Sequence, residues 1–317
     1  MKKLLLMSLI CGSIAFGSTT KKVALMMSNR SNEFFSVLEN SFIQEAKTRG
    51  YEVDVYDAAN DATKQPSQVE DAIVKQSAAI VMNPLNKDAT EAVLNDAVSM
   101  DIPVITVDTT VEGVDLLAEI ATDNQDGGKF AAEWLVKKSN LNPSTLTGVI
   151  HMRGIDGHTA HISRYKGFND YLKSTEAGSE WNAIANNEER YIELTGNFAQ
   201  DVAQNVFESK LSALDTNGKY AVYCENDVMA VGVIGAIMND NRFDIKNFTI
   251  IGFDGSAEGK KLVDEGKMSI TVVQDFNLIG KKAAIVMDEY LKDGKSPKST
   301  QMPIEVIMYP ANQSPRN

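Results

Sequence analysis

The chain has 317 residues, 43% of them hydrophobic and 23% charged, the proportions of an ordinary soluble globular protein. At roughly 150 residues per domain, that length predicts about two domains. A count of 31 Lys and Arg against 43 Asp and Glu, net −12, argues against a nucleic-acid-binding surface, and two cysteines exclude a disulfide scaffold or a four-cysteine zinc module.

Residues 1–17, MKKLLLMSLICGSIAFG, read as a secretory signal peptide. Lys2 and Lys3 precede an apolar run from Leu4 to Phe16, and Ala15 and Gly17 are small residues ahead of a cut before Ser18. The run is short of the ~20 residues that span a bilayer. Ser8-Leu9-Ile10 ahead of Cys11 lacks the small residue of a lipoprotein site. Cleavage removes Cys11 and moves the charge from −12 to −14, because Lys2 and Lys3 leave with it. The remaining Cys224, in the apolar run AVYC, is expected to be a buried structural thiol.

Beyond that, short apolar runs alternate with amphipathic stretches. Strands are predicted at 23–28, 52–57, 78–83, 103–108 and 116–121, then at 146–152, 181–186, 219–224, 248–253 and 269–273. Helices are predicted between them at 33–49, 64–76, 87–99, 125–138, 159–174, 198–213, 226–240 and 277–292. Strand–helix alternation over short connections means right-handed βαβ units. Two series of about five strands therefore predict an α/β protein of two doubly wound parallel-sheet domains.

Ligands of such sheets bind beyond the carboxyl ends of the strands. After the first strand comes Ser28-Asn29-Arg30-Ser31-Asn32-Glu33-Phe34-Phe35. Successive helical residues point about 100° apart, so Phe34 and Phe35 cannot easily both face one core, and at least one is expected in the crevice. Later strands end in Asp108-Thr109, Glu225-Asn226-Asp227, Asp254-Gly255 and Gln274-Asp275. Phe198 opens a predicted helix, and Arg164 lies on the helix after Gly154-Ile155-Asp156-Gly157. Rings can cover the C–H faces of a sugar, and planar Asp, Asn, Gln and Arg groups can each engage two adjacent hydroxyls. One such Asp is usually a helix cap; four polar strand ends beside an aromatic set point to a polyhydroxylated ligand.

Residues 22–308 resemble the periplasmic ribose- and galactose-type sugar-binding proteins of ABC importers. The resemblance rests on SNEFF, NPLNKDA (83–89), IPVITVD (102–108), TDNQDGG (122–128), GIDGHTAHISRYKGF (154–168), ENDVMAVG (225–232) and IIGFDG (250–255). It implies a type I periplasmic binding protein fold, two lobes joined by a three-crossing hinge near Asp123, Asp275 and Pro303. The lobes would be 21–122 plus 276–303 and 123–275 plus 304–317. It implies that Asn32, Phe34, Phe35 and Asp108, with Thr109 beside it, line the first wall. Arg164, Phe198, Asn226, Asp254 and Gln274 would line the second wall and hinge edge. Ribose-binding members usually carry Asp-Arg where this chain has Asp108-Thr109, and Asn-Pro-Phe-Phe where it has Asn32-Glu33-Phe34-Phe35. His158 stands where galactose-type relatives have a ligand-contacting His, but Ala160 replaces their Asp. His158 is thus either a sugar contact or a solvated helix-start residue.

The implied function is capture of a monosaccharide or polyol in the periplasm and its delivery to the membrane subunits of an ABC permease, with a monomer expected. A different role with the same binding domain is presentation of the closed form to a chemoreceptor or sensor kinase. No cofactor and no metal are expected. His151, His158 and His161 fall within eleven residues but lack matching cysteines, and no calcium-loop pattern occurs. No G-x-S-x-G, H-E-x-x-H or phosphate loop supports an enzyme. Nothing in the sequence marks one of Asp108 and Asp254 for the raised pKa of a glycosidase acid. A sugar-responsive transcription regulator would need an N-terminal helix-turn-helix of about 60 residues, whereas the first strand starts at Val23.

Overall fold

The structure, a computed structural model, describes residues 21–31 and 33–315; the segment expected to be a signal peptide and Asn32 lie outside the described residues. The first series runs β1 (Lys21–Met27), α1 (Glu33–Thr48), β2 (Tyr51–Asp57), α2 (Lys64–Val74), β3 (Ile80–Met82), α3 (Lys87–Ser99), β4 (Val104–Val107), β5 (Ala118–Thr122) and α4 (Asn124–Lys137). The second runs β6 (Gly148–Arg153), α5 (Thr159–Leu172), α6 (Ser179–Ala185), β7 (Tyr191–Thr195), α7 (Gln200–Leu211), β8 (Tyr220–Cys224), α8 (Asp227–Asn239), β9 (Phe248–Asp254), α9 (Ala257–Asp264) and β10 (Ile270–Val273). Helix α10 (Phe276–Asp293) and strands β11 (Gln301–Ile304) and β12 (Ile307–Tyr309) complete it.

Two six-stranded sheets form, ordered β2-β1-β3-β4-β5-β11 and β7-β6-β8-β9-β10-β12. Every pairing is parallel except β10 with β12. Both sheets carry helices on both faces, so β3, β4, β8 and β10 are buried from end to end. In the first, Leu38 and Phe42 of α1 meet Ile279 and Ala283 of α10 on one face, while Val69 and Leu94 cover the other. In the second, Phe130, Trp134 and Phe168 cover one face, and Phe207, Val233 and Ile234 the other. Strand order reverses between β1 and β3 and between β6 and β8. These switch points open a crevice at the carboxyl ends of each sheet, and the two crevices face one another.

The chain passes between sheets three times: at Asp123 after β5, at Gln274–Asp275 after β10, and at Glu305–Val306 between β11 and β12. Asp123 and Asp275 also cap the helices that follow, accepting from the amides of Asp126 and Leu278 at 2.8 Å. Pro303 sits within β11, paired with Ala121.

One predicted strand is a helix. Of residues 181–186, the first five fall in α6, with Asn186 as its C-terminal cap, and Trp181, Ile184 and Ala185 are buried. That spacing is the i, i+3, i+4 stripe of a helix, which a six-residue apolar run conceals. The strand of that unit is β7, YIELT, whose pairing with β6 decides it. Helix α7 begins at Gln200, two residues after Phe198, because Asn197 and Phe198 both adopt left-handed φ, 54° and 55°. Helix α9 and the short strands β11 and β12 lie outside the helices and strands predicted from the sequence.

Candidate ligand-binding site

A cavity of ≈ 330 Å³ lies between the two crevices, at the small end of the range for ligand sites. Phe34, Phe35, Asp108 and Thr109 line it from the first sheet, and Arg164, His158, Phe198, Asn226 and Asp254 from the second, with Gln274 at a pass between them. All the site residues expected from the sequence meet there except Asn32, which lies outside the described residues.

On the first wall, the rings of Phe34 and Phe35 stand 5.2 and 6.1 Å from that of Phe276, at interplanar angles of 30° and 80°. Both phenylalanines are half-buried, so each packs on the core and still presents ring surface to the cavity. Asp108 follows β4 with φ 67°, its amide held by the Ile120 carbonyl at 2.9 Å. This kink turns the carboxyl inward. Asn83, at the end of β3, is the hub behind it. Its Nδ2 donates to the Val107 carbonyl at 3.2 Å, to Thr109 Oγ1 at 3.1 Å and weakly to Asp108 Oδ2 at 3.3 Å, while its Oδ1 accepts from Ser28. The Thr109 hydroxyl also donates to the Pro84 carbonyl at 3.0 Å. Thr109 is therefore a wall residue whose polar atom is already committed.

The second wall is organised around Arg164, only 5% exposed. Nε donates to Asn124 Oδ1 at 2.8 Å and Nη1 to the Glu225 carbonyl at 2.5 Å, while Asp254 Oδ1 lies 3.5 Å from Nη1. The guanidinium lies 3.8 Å from the centroid of the Phe253 ring and 6.0 Å from that of Phe198. Helices α4 and α5 must touch at backbone distance to bring Asn124 to Arg164. A Cβ on Gly128 would collide with the Arg164 carbonyl, and one on Gly167 with the Gln125 carbonyl.

Asp254, at φ 107°, accepts from Gln274 Nε2 at 2.7 Å. Asn226 caps α8 through Oδ1, which accepts from the Met229 amide at 2.9 Å; its amide group is what remains for a ligand. His158 is exposed at the cavity edge, caps α5 through Nδ1 and meets the Phe198 ring at 5.5 Å, edge-on.

Burial sets the charge states. Desolvation pushes the Asp108 carboxyl up to about 6, with Arg164 opposing the shift and Asp254 adding to it. Desolvation likewise raises Asp254, against Arg164 and the Gln274 hydrogen bond. Desolvation and the nearby Arg164 charge hold His158 below its usual value, so it is neutral at pH 7.

Three contributors escaped sequence reasoning. Asn124 and Phe276 immediately follow two passes between the sheets, and Asn83 ends the third strand. The rule applied to other strand ends would have found Asn83; nothing local marks the other two. His151 and His161 are buried on Glu225, away from His158. Among the described residues no group of three or more His, Cys, Asp or Glu could hold a metal ion.

Residues 23–296 match the model of the periplasmic binding protein domain. The chain belongs to this family. It is 31% identical over 273 residues to the ribose import binding protein of Salmonella typhimurium, covering 86% of each chain. It is 30% identical to that of Haemophilus influenzae, covering 92% of each. Among solved structures, the Caulobacter myo-inositol binding protein bound to myo-inositol superimposes with a TM-score of 0.73 at 25% identity, over 92% of this chain and 93% of that one. The two-lobed α/β fold expected from the sequence is the fold of the family.

Proposed function

We propose that this family member captures one monosaccharide or related polyol between its lobes and delivers it, chemically unchanged, to the membrane subunits of an ABC permease. One observation carries the reading: a ring pair, Phe34 and Phe35, faces planar polar groups from the opposite lobe, Arg164, Asn226 and Asp254, across a cavity of ≈ 330 Å³. Rings take the apolar face of a sugar, and carboxylates, amides and the guanidinium take its hydroxyl rim. The names of the ribose-importing relatives and the bound myo-inositol of the Caulobacter protein support the same ligand class. Export through the signal peptide to the periplasm fits the family.

The three passes between the sheets would serve as the hinge. Ligand contacts to both walls favour the closed arrangement, so occupancy shifts the population toward it. A thermal-shift screen of pentoses, hexoses, inositols and sugar alcohols tests the ligand class, since stabilisation follows ligand concentration relative to Kd. Small-angle scattering tests the mechanism: a saturating sugar should compact the protein, and an unchanged shape refutes it.

A further inference from the structure

The carboxylate of Glu225 is completely buried and does not line the cavity, yet it gathers the segment that carries half of the second wall. His151 Nε2 donates to Oε1 at 2.9 Å, His161 Nδ1 to Oε2 at 2.8 Å, and the Gly154 amide to Oε2 at 2.8 Å. The carbonyl of the same residue accepts Arg164 Nη1 at 2.5 Å. These donors come from β6, the loop behind it and α5, the segment that carries His158 and Arg164. Glu225 itself directly precedes Asn226.

The network is closed. A carboxylate only accepts, so His151 carries its proton on Nε2, and Nδ1 accepts the Tyr191 hydroxyl at 2.8 Å. A buried carboxylate is costly unless its lone pairs are filled, and here three donors from one segment fill them. The backbone pairing of β6 with β8 ends at Met152–Cys224. Beyond that register, the side chain of Glu225 takes over the role of the ladder.

We propose that Glu225 is a positioning residue for ligand capture, acting through Arg164 and the 154–158 loop by fixing them against Asn226. The inference rests on reading the cavity as the ligand site. Glutamine at 225 would keep the shape but replace one acceptor oxygen with an NH2, which would meet the His151 N–H in one orientation and the N–H groups of His161 and Gly154 in the other, so donor would face donor either way.

The test compares Glu225→Gln with the wild type in two measurements. Hydrogen exchange of the ligand-free protein should show residues 154–164 exchanging at least tenfold faster in the variant, with β1–β4 unchanged. Calorimetry with D-ribose, D-allose, D-galactose, L-arabinose and myo-inositol should show at least a tenfold rise in Kd for whichever sugars bind the wild type. In an Arg164→Lys background, the same substitution should raise Kd less than threefold. Unchanged exchange overturns the inference, as does loosening spread over both sheets. A full additional tenfold loss in the Arg164→Lys background overturns it too, because a general structural defect adds to the first loss. If Glu225→Gln does not fold, His161→Ala, which removes one anchor, carries the same comparison. If none of the pentoses, hexoses, inositols and sugar alcohols of the thermal-shift screen binds the wild type, the reading of the cavity has failed, and exchange alone still decides whether Glu225 holds the segment.

Discussion

Arg164 Nη1 lies 3.5 Å from Asp254 Oδ1, and Gln274 Nε2 donates to that same oxygen at 2.7 Å. The guanidinium, fixed by Asn124 and the Glu225 carbonyl, therefore holds the carboxylate from one side and the Gln274 side-chain amide holds it from another. Oδ2 is left for a ligand hydroxyl. Each desolvated charge-assisted contact is worth about 1.5–3 kcal/mol. Arg164→Ala and Asp254→Asn should each weaken sugar binding roughly 10- to 100-fold, because each leaves its partner unpaired. Arg164→Lys should rescue little, since an ammonium cannot span Asn124, the Glu225 carbonyl and Asp254 together. Titration calorimetry reads all three; losses below tenfold throughout would remove Arg164 and Asp254 from the ligand site.

Asp108 is expected to make affinity pH-dependent. Its carboxyl is pushed up to about 6, chiefly by desolvation, and the ionised form is the better acceptor for two hydroxyls. Below about pH 6 the protonated fraction grows and Kd should rise, approaching tenfold per pH unit. Above about 7 the profile should be flat. In Asp108→Asn that limb should disappear, along with much of the affinity at neutral pH. A variant retaining the wild-type profile between pH 4.5 and 7 would assign the titration to another group.

Glu225 ties fold stability to pH in a separate window. Desolvation pushes its carboxyl up, but the hydrogen bonds and charge interactions with His151 and His161 together outweigh it and bring the value down from 4.5 to about 2. A folded pKa below the unfolded one stabilises at pH above the unfolded value, and that stability drains as pH falls from about 4.5 toward 2. The gap corresponds to roughly 3 kcal/mol. Denaturant unfolding at pH 5 and pH 2.5 should show most of this difference, and Glu225→Gln should show less acid sensitivity in that interval.

Gly128 sets two principles against each other. Alanine in a helix interior is favoured over glycine by roughly 1 kcal/mol. Here a methyl would run into the Arg164 backbone carbonyl, and overpacking costs about 1–3 kcal/mol. Gly128→Ala should therefore lower Tm and, by prying α4 from α5, separate Asn124 from Arg164 and weaken binding. A higher Tm with unchanged affinity would show that the two helices can part at no cost.

Much of the architecture was legible because each βαβ unit announces itself locally. Continuous apolar runs such as VITV of β4 become strands buried on both faces, and stripes such as Leu38, Phe42 and Ala46 of α1 become helix faces against a sheet. Asp108, Asn226 and Asp254 could be nominated from position alone, since strand ends converge wherever such a sheet reverses its order. The misread segment, 181–186, is too short for periodicity to separate a helix from a strand, and β7 was settled by its pairing with β6.

Local pattern thus accounts for the order of strands and helices and for which polar and aromatic residues stand at the strand ends, because period and turn chemistry operate over a few neighbouring residues. Folding in three dimensions settled the remainder. It drew Asn124 and Phe276 into the cavity from either side of the passes and turned the Thr109 hydroxyl toward Pro84. It also buried His151 and His161 on Glu225 while leaving His158 at the cavity edge. Those outcomes depend on contacts between residues far apart along the chain, where close helix approach and the satisfaction of buried polar atoms, not spacing, choose the partner.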